Sequence, residues 1–148
     1  MESLVQFLLD FYHKQFPNTQ LRKFEQQCID AWKDSLPIDG KRVLTAQLKA
    51  AYFVQRQAMG AKICFYYPLT KDEKLPLFAD TGSDVLAAMV NLASTANADE
   101  VRICAKIFVH RGRLFSLEFP KAPQHYFERH KISDDDLEFE SIEIIRNL

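Results

Sequence analysis

The stretch VRICAKIFVHRGRLFSLEF, residues 101–119, is the most strongly patterned part of this chain. Apolar residues alternate with other residues up to Val109, Gly112 interrupts the pattern, and a second run rich in apolar and aromatic residues follows. Alternation with a period of two is typical of a half-buried strand, and a glycine between two such runs predicts a hairpin. We therefore expect two antiparallel strands, Val101–Val109 and Leu114–Phe119.

The length of the hairpin loop decides which side chains share a face of the sheet. A two-residue loop, Arg111-Gly112, would place Val109 opposite Leu114 and leave both faces mixed. A three-residue loop that also includes His110, with Gly112 in the left-handed conformation, sorts the apolar side chains onto one face, and we prefer it. The six side chains then predicted to be buried pair as Ile107 with Phe115, Ala105 with Leu117, and Ile103 with Phe119.

Two helices are predicted before residue 42. Ser3 can cap a first helix that runs to about Gln15, before Pro17. Asn18 or Thr19 can cap a second helix, which Pro37 and Gly40 end. The apolar positions of the second helix keep helical spacing: Leu21, Phe24, Cys28 and Trp32.

The segment from Arg42 to Met59 fits two structures. Its content of Ala, Leu, Gln, Lys and Arg favours a helix closed by Gly60, which is our prediction. The alternative is a pair of β-runs in AYFVQRQAMGAKICFYY, joined at residues 58–60. A strand is predicted at Ile63–Tyr67, and a helix with a wide apolar face is predicted to begin at Thr81 or Ser83.

The last strand, Leu137–Ile145, contains a break in its alternation. Leu137 and Phe139 share one side, whereas Ile142 and Ile144 fall on the other. One extra residue near Glu140-Ser141 would restore a single apolar face, which predicts a β-bulge. Together these patterns predict one domain of the α+β class over residues 1–148, with N-terminal helices packed on an antiparallel sheet of about four strands and one further helix across it.

Composition places the chain among ordinary globular proteins. The net charge is −1, which gives no general attraction to phosphate or anionic lipid. The three cysteines are widely spaced and form no CxxC pair, which favours a reducing compartment. The first residues lack a basic segment, and no run approaches 18 apolar residues, so we expect a soluble, cytoplasmic protein without a membrane span.

The acidic residues near the C-terminal end suggest a function. Five carboxylates with few nearby cations can attract a basic protein surface and speed its encounter. On the hairpin, Phe108 and Leu114 are predicted to form a small exposed apolar patch on the outer face. We therefore expect a non-catalytic module that binds another protein, in the manner of inhibitors or immunity proteins, without a cofactor. The predicted binding residues are Asp134, Asp135, Asp136, Glu138, Glu140, Phe108 and Leu114.

Two alternatives stay open. The first is a metal-dependent hydrolase that uses His125, His130 and the carboxylates of residues 134–136. A spacing of five residues puts the two imidazoles about 140° apart around a helix, so they would not chelate a metal ion together from one helix.

The second alternative is a nucleic-acid binder that uses the basic residues of the hairpin. RGRLFSLEF resembles in part the signature of the RNA-recognition motif, but Arg113 and Glu118 stand where base-stacking aromatics belong. We also find no sequence pattern of a catalytic nucleophile and base. The basic residues in question are Arg102, Lys106, Arg111 and Arg113.

Overall fold

Six strands form one antiparallel sheet, with the hairpin of residues 101–119 at its centre. The computed structural model describes residues 4, 7–8, 21–51, 53–67, 75–79, 82, 84–96 and 100–148. The spatial order of the strands is β1-β2-β5-β4-β3-β6. The strands are β1 Phe53–Gln57, β2 Lys62–Tyr66, β3 Val85–Ser94, β4 Val101–His110, β5 Arg113–Glu118 and β6 Glu138–Ile144.

Three described helices accompany the sheet: α1 Lys23–Ser35, α2 Ile38–Ala50 and α3 Pro123–His130. The predicted α+β class is confirmed, and the four predicted strands are present as β2, β4, β5 and β6. The sheet has six strands rather than the predicted four, and the two additional strands are β1 and β3. The helix predicted from Ser3 to Gln15 lies outside the described residues, apart from helical residues 4, 7 and 8.

One face of the sheet is buried beneath the helices. Phe24 of α1 contacts the rings of Phe119 and Phe127, with centroid distances of 5.7 and 5.4 Å. Trp32, one turn further along the same stripe as Cys28, is fully buried against Phe78. The alternation of β4 supplies the centre of this core through Val101, Ile103, Ala105, Ile107 and Val109, all buried. The other face of the sheet, called here the outer face, carries the intervening residues.

The hairpin register differs from the preferred prediction. The loop is the two-residue Arg111-Gly112, with φ of 51° and 78°, and Val109 lies opposite Leu114. A bulge then shifts the register, so that Phe108 pairs with Ser116 and Ile107 with Leu117. The extra residue is Phe115, which is half-exposed instead of buried. Because of the bulge, the tight turn is compatible with an apolar inner face. The other five side chains that were predicted to be buried are buried.

The helix predicted from Ser83 is wrong, because Val85–Ser94 forms β3. Burial alternates along most of β3, which pairs with β4 on one side and with β6 on the other. A continuous apolar run fits a buried helix and a buried strand equally well. Pairing on both edges therefore overrides the helical propensity of Leu86, Ala87, Ala88 and Met89.

The predicted helix from Arg42 to Met59 is wrong in its second half, where the alternative hairpin is confirmed. Helix α2 ends at Ala50, and β1 pairs with β2 across residues 58–60. Ala58, Met59 and Gly60 all have positive φ, which a continuing right-handed α-helix does not allow. The second predicted helix ends before Pro37 as expected, since α1 stops at Ser35, whereas Gly40 does not end a helix but lies in the first turn of α2.

Gln47 connects α2 to the central hairpin. Its side chain is fully buried, and its Nε2 donates hydrogen bonds to the carbonyl oxygens of Gly112 at 2.8 Å and Pro76 at 2.9 Å. Its Oε1 accepts a hydrogen bond from the backbone N–H of Leu114 at 2.9 Å. One amide therefore holds three backbone groups that helix and sheet ladders leave unused, which fixes the turn against the helix.

A buried ion pair connects α1 to β1. Glu25 is 1% exposed, and its carboxylate accepts hydrogen bonds from Nε and a terminal nitrogen of Arg56. The same carboxylate accepts the backbone N–H of Arg22 at 2.7 Å, as a capping group of α1. Several donors thus stabilise a charge that would be costly to bury alone.

We predict that Gln47→Leu lowers the free energy of unfolding by about 2–4 kcal/mol, because it leaves the buried Leu114 N–H and the Pro76 carbonyl without their partner. The exposed Lys49 lies on the same helix. Lys49→Leu is therefore the control, and its effect should stay within about 0.5 kcal/mol. Urea unfolding measures both, and equal stability of the two variants would contradict the structural role of Gln47.

Two glycines with positive φ allow steric contact to be separated from backbone strain. A Cβ at Gly112 would lie 2.8 Å from the Phe78 carbonyl oxygen, whereas a Cβ at Gly60 would meet nothing closer than 3.9 Å. Gly60→Ala should therefore cost about 1–2 kcal/mol, from backbone strain alone. Gly112→Ala should cost clearly more in the same thermal or urea unfolding experiment. A smaller loss at Gly112 than at Gly60 would show that the turn is not packed against residues 77–78.

Candidate protein-binding edge

Strand β6 forms one edge of the sheet. It pairs only with β3 among the described strands, so its other side carries no strand in that part of the chain. The register shifts between Asn91 opposite Ser141 and Leu92 opposite Phe139, which makes Glu140 the extra residue. The predicted bulge near Glu140-Ser141 is confirmed. Bulges and charged residues are common on edge strands, where they limit pairing between identical sheets.

The predicted acidic residues are called here the acidic edge: Asp134, Asp135, Asp136, Glu138 and Glu140. All of them except Asp134 line one recess. The first three form a short 3₁₀ turn before β6. Asp136 is a capping residue, since its Oδ2 accepts the backbone N–H of Ser133 at 2.8 Å. Asp135, Glu138 and Glu140 are exposed. The acidic edge therefore combines a carboxylate fixed by the fold with carboxylates open to a partner.

One described arginine partly neutralises the acidic edge. Arg102 of β4 contacts Glu140 at 3.1 Å and Glu100 at 2.9 Å. The side chains of Arg102 and Glu100 are largely exposed and that of Glu140 is partly exposed, so the pairs add little to stability. Neither Asp135 nor Glu138 makes an ion pair with a described residue. The field at this end of β6 therefore stays negative.

Apolar side chains lie beside the carboxylates. Phe139 is 47% exposed, Ile144 is 37% exposed and Ile145 is 43% exposed. A shallow recess of about 370 Å³ opens next to Phe139. Its lining combines the acidic edge with small residues: Ala93, Thr95, Ala96, Asp135, Asp136, Glu138, Phe139 and Glu140. The recess therefore places the exposed ring of Phe139 among carboxylates, while Ile144 and Ile145 lie at the other end of β6.

The other two predicted binding residues lie elsewhere. Leu114 is fully buried, so the prediction that it is exposed is wrong. The two-residue loop puts it opposite Val109 on the inner face, instead of on the outer face as the three-residue loop required. Phe108 is half-exposed on the outer face of β4, and β3 separates it from β6. The two therefore form no patch together.

The described residues do not form the metal site of the first alternative. His125 is exposed on α3, and His130 lies at the end of the same helix, where its ring stacks on Tyr126 at 6.5 Å. Over the described ranges, no group of three or more His, Cys, Asp or Glu side chains is arranged to hold a metal ion.

The basic hairpin residues are interleaved with acids. Arg102 is occupied by Glu100 and Glu140, and Lys106 lies opposite Glu118 in the register. Arg113 lies over the ring of Tyr67 at 5.9 Å, and Arg111 is in the turn. Since phosphate binding needs an uninterrupted positive surface, these contacts oppose the nucleic-acid alternative.

A histidine–carboxylate pair on the hairpin was missed by sequence reasoning. Nδ1 of His110 lies 2.5 Å from Oδ1 of Asp84, and the ring packs against Phe115 at 5.5 Å. Among the described residues, no hydroxyl or thiol bonds to His110, so that part of the chain supplies no nucleophile to the pair. The exposed apolar residues of β6 were also missed as binding groups, although their alternation with acids was visible in the sequence.

The three cysteines are poor nucleophiles. Burial raises the pKa of the Cys28 thiol well above its usual range, and nearby Glu25 adds to this effect. Burial also raises the pKa of Cys64. It raises the pKa of Cys104 as well, although the Cys104 side chain is less buried. Because the thiolate is the reactive form, a raised pKa lowers reactivity at neutral pH.

Comparison with known proteins gives no relative: no family model, curated protein or solved structure matches the chain. In the described part of the chain, no helix has the length and apolar character needed to cross a membrane.

We predict that a thiol reagent near pH 8 modifies Cys104 first, and more slowly than free cysteine, since the raised pKa leaves less thiolate at that pH. Cys28, which is fully buried, should react only when the protein unfolds. Cys104→Ser should remove the fastest phase of a colorimetric thiol assay. Rapid modification of Cys28 in the folded protein would contradict this account.

Proposed function

We propose that this protein is a non-catalytic module that binds another protein through the acidic edge, as inhibitors and immunity proteins do in general terms. The observation that carries the proposal is the combination at β6 of exposed carboxylates with the exposed ring of Phe139. Opposite charge on a partner would speed encounter, while the apolar groups would supply affinity after contact.

The chemistry of the surface indicates the kind of partner. Residues 134–143 contain six carboxylates and no Lys or Arg, although the net charge of the whole chain is only −1. This local excess favours a basic protein surface over an acidic one. A partner with Lys or Arg around an apolar centre would match both components of the edge.

We predict that Asp135→Lys/Glu138→Lys slows association with the partner and reduces the dependence of the association rate on salt, because electrostatic steering is lost. Asp34→Lys/Glu128→Lys is the matched control, since it makes the same change in charge at exposed sites on α1 and α3. Wild type and control should capture the same protein from a lysate of the source cell, and the edge variant should not.

Surface plasmon resonance at low and high salt with the captured protein then gives the association rates. A control variant as slow as the edge variant would show that only net charge matters. Unchanged rates for the edge variant would contradict the proposed function.

A further inference from the structure

On the side away from β3, the backbone of β6 pairs with no described strand. The N–H of Ile145 donates to the carbonyl of Ala87 at 3.0 Å, so the backbone groups of Ile145 point toward β3. In an antiparallel ladder this orientation repeats at every second residue. The backbone groups of Ser141 and Glu143 therefore point toward β3. We expect the backbone N–H and C=O groups of Ile142 and Ile144 to point away from the sheet.

The side chains of β6 divide between the two faces of the sheet. Phe139, Ile142 and Ile144 lie opposite Leu92, Val90 and Ala88, on the helix-covered face. Phe139 and Ile144 nevertheless remain 47% and 37% exposed, so part of the apolar surface at this edge is in contact with solvent. A neighbouring strand would cover it, since cross-strand side chains on one face contact each other.

The outer face of β6 is acidic. Glu138 and Glu143 lie opposite Ala93 and Met89, and neither makes an ion pair with a described residue. Between them, Ser141 accepts a hydrogen bond from Nδ2 of Asn91 at 3.0 Å. A strand placed beside β6 would therefore meet carboxylates on this face and apolar groups on the other.

We infer that the edge of β6 that faces away from β3 accepts an extended basic segment of the partner as a seventh, antiparallel strand. The inference rests on the proposed function and specifies its binding mode. Apolar side chains of the segment cover Ile142 and Ile144, and one of its Lys or Arg side chains faces Glu143. Backbone hydrogen bonds to Ile142 and Ile144 supply affinity, and the alternation supplies specificity.

Charge selects this occupant over a second copy of the same chain. An antiparallel pair of two β6 strands would bring two sets of carboxylates together, and like charges on facing strands are destabilising. The bulge at Glu140 further restricts regular pairing to the part of β6 that follows it. At the other end, the recess beside Phe139 can take one basic side chain, with its aliphatic stem on the ring.

Synthetic peptides test the inference without the natural partner. The probe is the alternating peptide KVKVKVK, and KKKKVVV is a control with the same composition in blocks. In the antiparallel arrangement, the residues bonded to Ile142 and Ile144 share their face and are therefore the valines. N-methylation of the valine amides should weaken binding about tenfold or more, whereas N-methylation of the lysine amides should leave it nearly unchanged.

Fluorescence anisotropy gives the affinities, and NMR chemical-shift changes locate the site. Strand addition predicts shifts concentrated at residues 141–145, tighter binding of KVKVKVK than of KKKKVVV, and loss confined to the valine-methylated peptide. Equal binding of all basic peptides at β6, lost in Asp135→Lys/Glu138→Lys, would overturn strand addition and leave the acidic edge intact. Absence of binding of every basic peptide at β6 would overturn both proposals.

Discussion

The structure depends on one dry face of the central strand. Five alternating side chains of β4 are buried, with exposures of 0–3%, and each strand beside β4 adds its own apolar residues to the same face. Full burial of a Val, Leu or Ile side chain contributes about 1.5–3 kcal/mol, so this wall outweighs any single surface contact. The described helices therefore collect on that side, where Phe24, Trp32 and Leu44 complete the core. The buried hydrogen bonds of Gln47 and Glu25 mainly determine where α2 and α1 pack against the sheet, and they contribute less than the apolar core to stability.

This one-sided arrangement also produces the candidate site. A sheet that is closed on one face by helices still has two edges, and β6 is the edge at which acidic residues concentrate. Its bulge keeps the apolar residues on the inner face despite the break in the sequence pattern. The same bulge and the carboxylates discourage pairing between identical chains, while they leave the edge open to a segment of opposite charge. Edge protection and partner selection can thus arise from the same residues.

The sequence predicted what depends on local pattern. The alternation in β4, the stripe of Phe24, Cys28 and Trp32, and the phase break at Glu140 all correspond to observed structure. It did not predict what depends on neighbours in space. The run from Val85 to Ser94 is a strand because β4 and β6 pair with both of its sides, and no local signal distinguishes it from a helix. Leu114 was placed on the wrong face because a bulge at Phe115 was not visible in the hairpin pattern. The acidic residues of the candidate site were visible in the sequence, whereas the exposure of Phe139 required the fold.

β4 lies at the middle of the sheet, and no described strand covers the edge of β6 that faces away from β3. Amide hydrogen exchange of the free protein, read residue by residue by NMR, tests this arrangement most directly. We expect the amides of Ile103, Ala105 and Ile107 to exchange most slowly, and those of Ile142 and Ile144 to exchange much faster than that of Glu143 between them. Protection of Ile142 and Ile144 equal to that of Ile107 would mean that another part of the chain already covers this edge, and the edge would then be unable to accept a further strand.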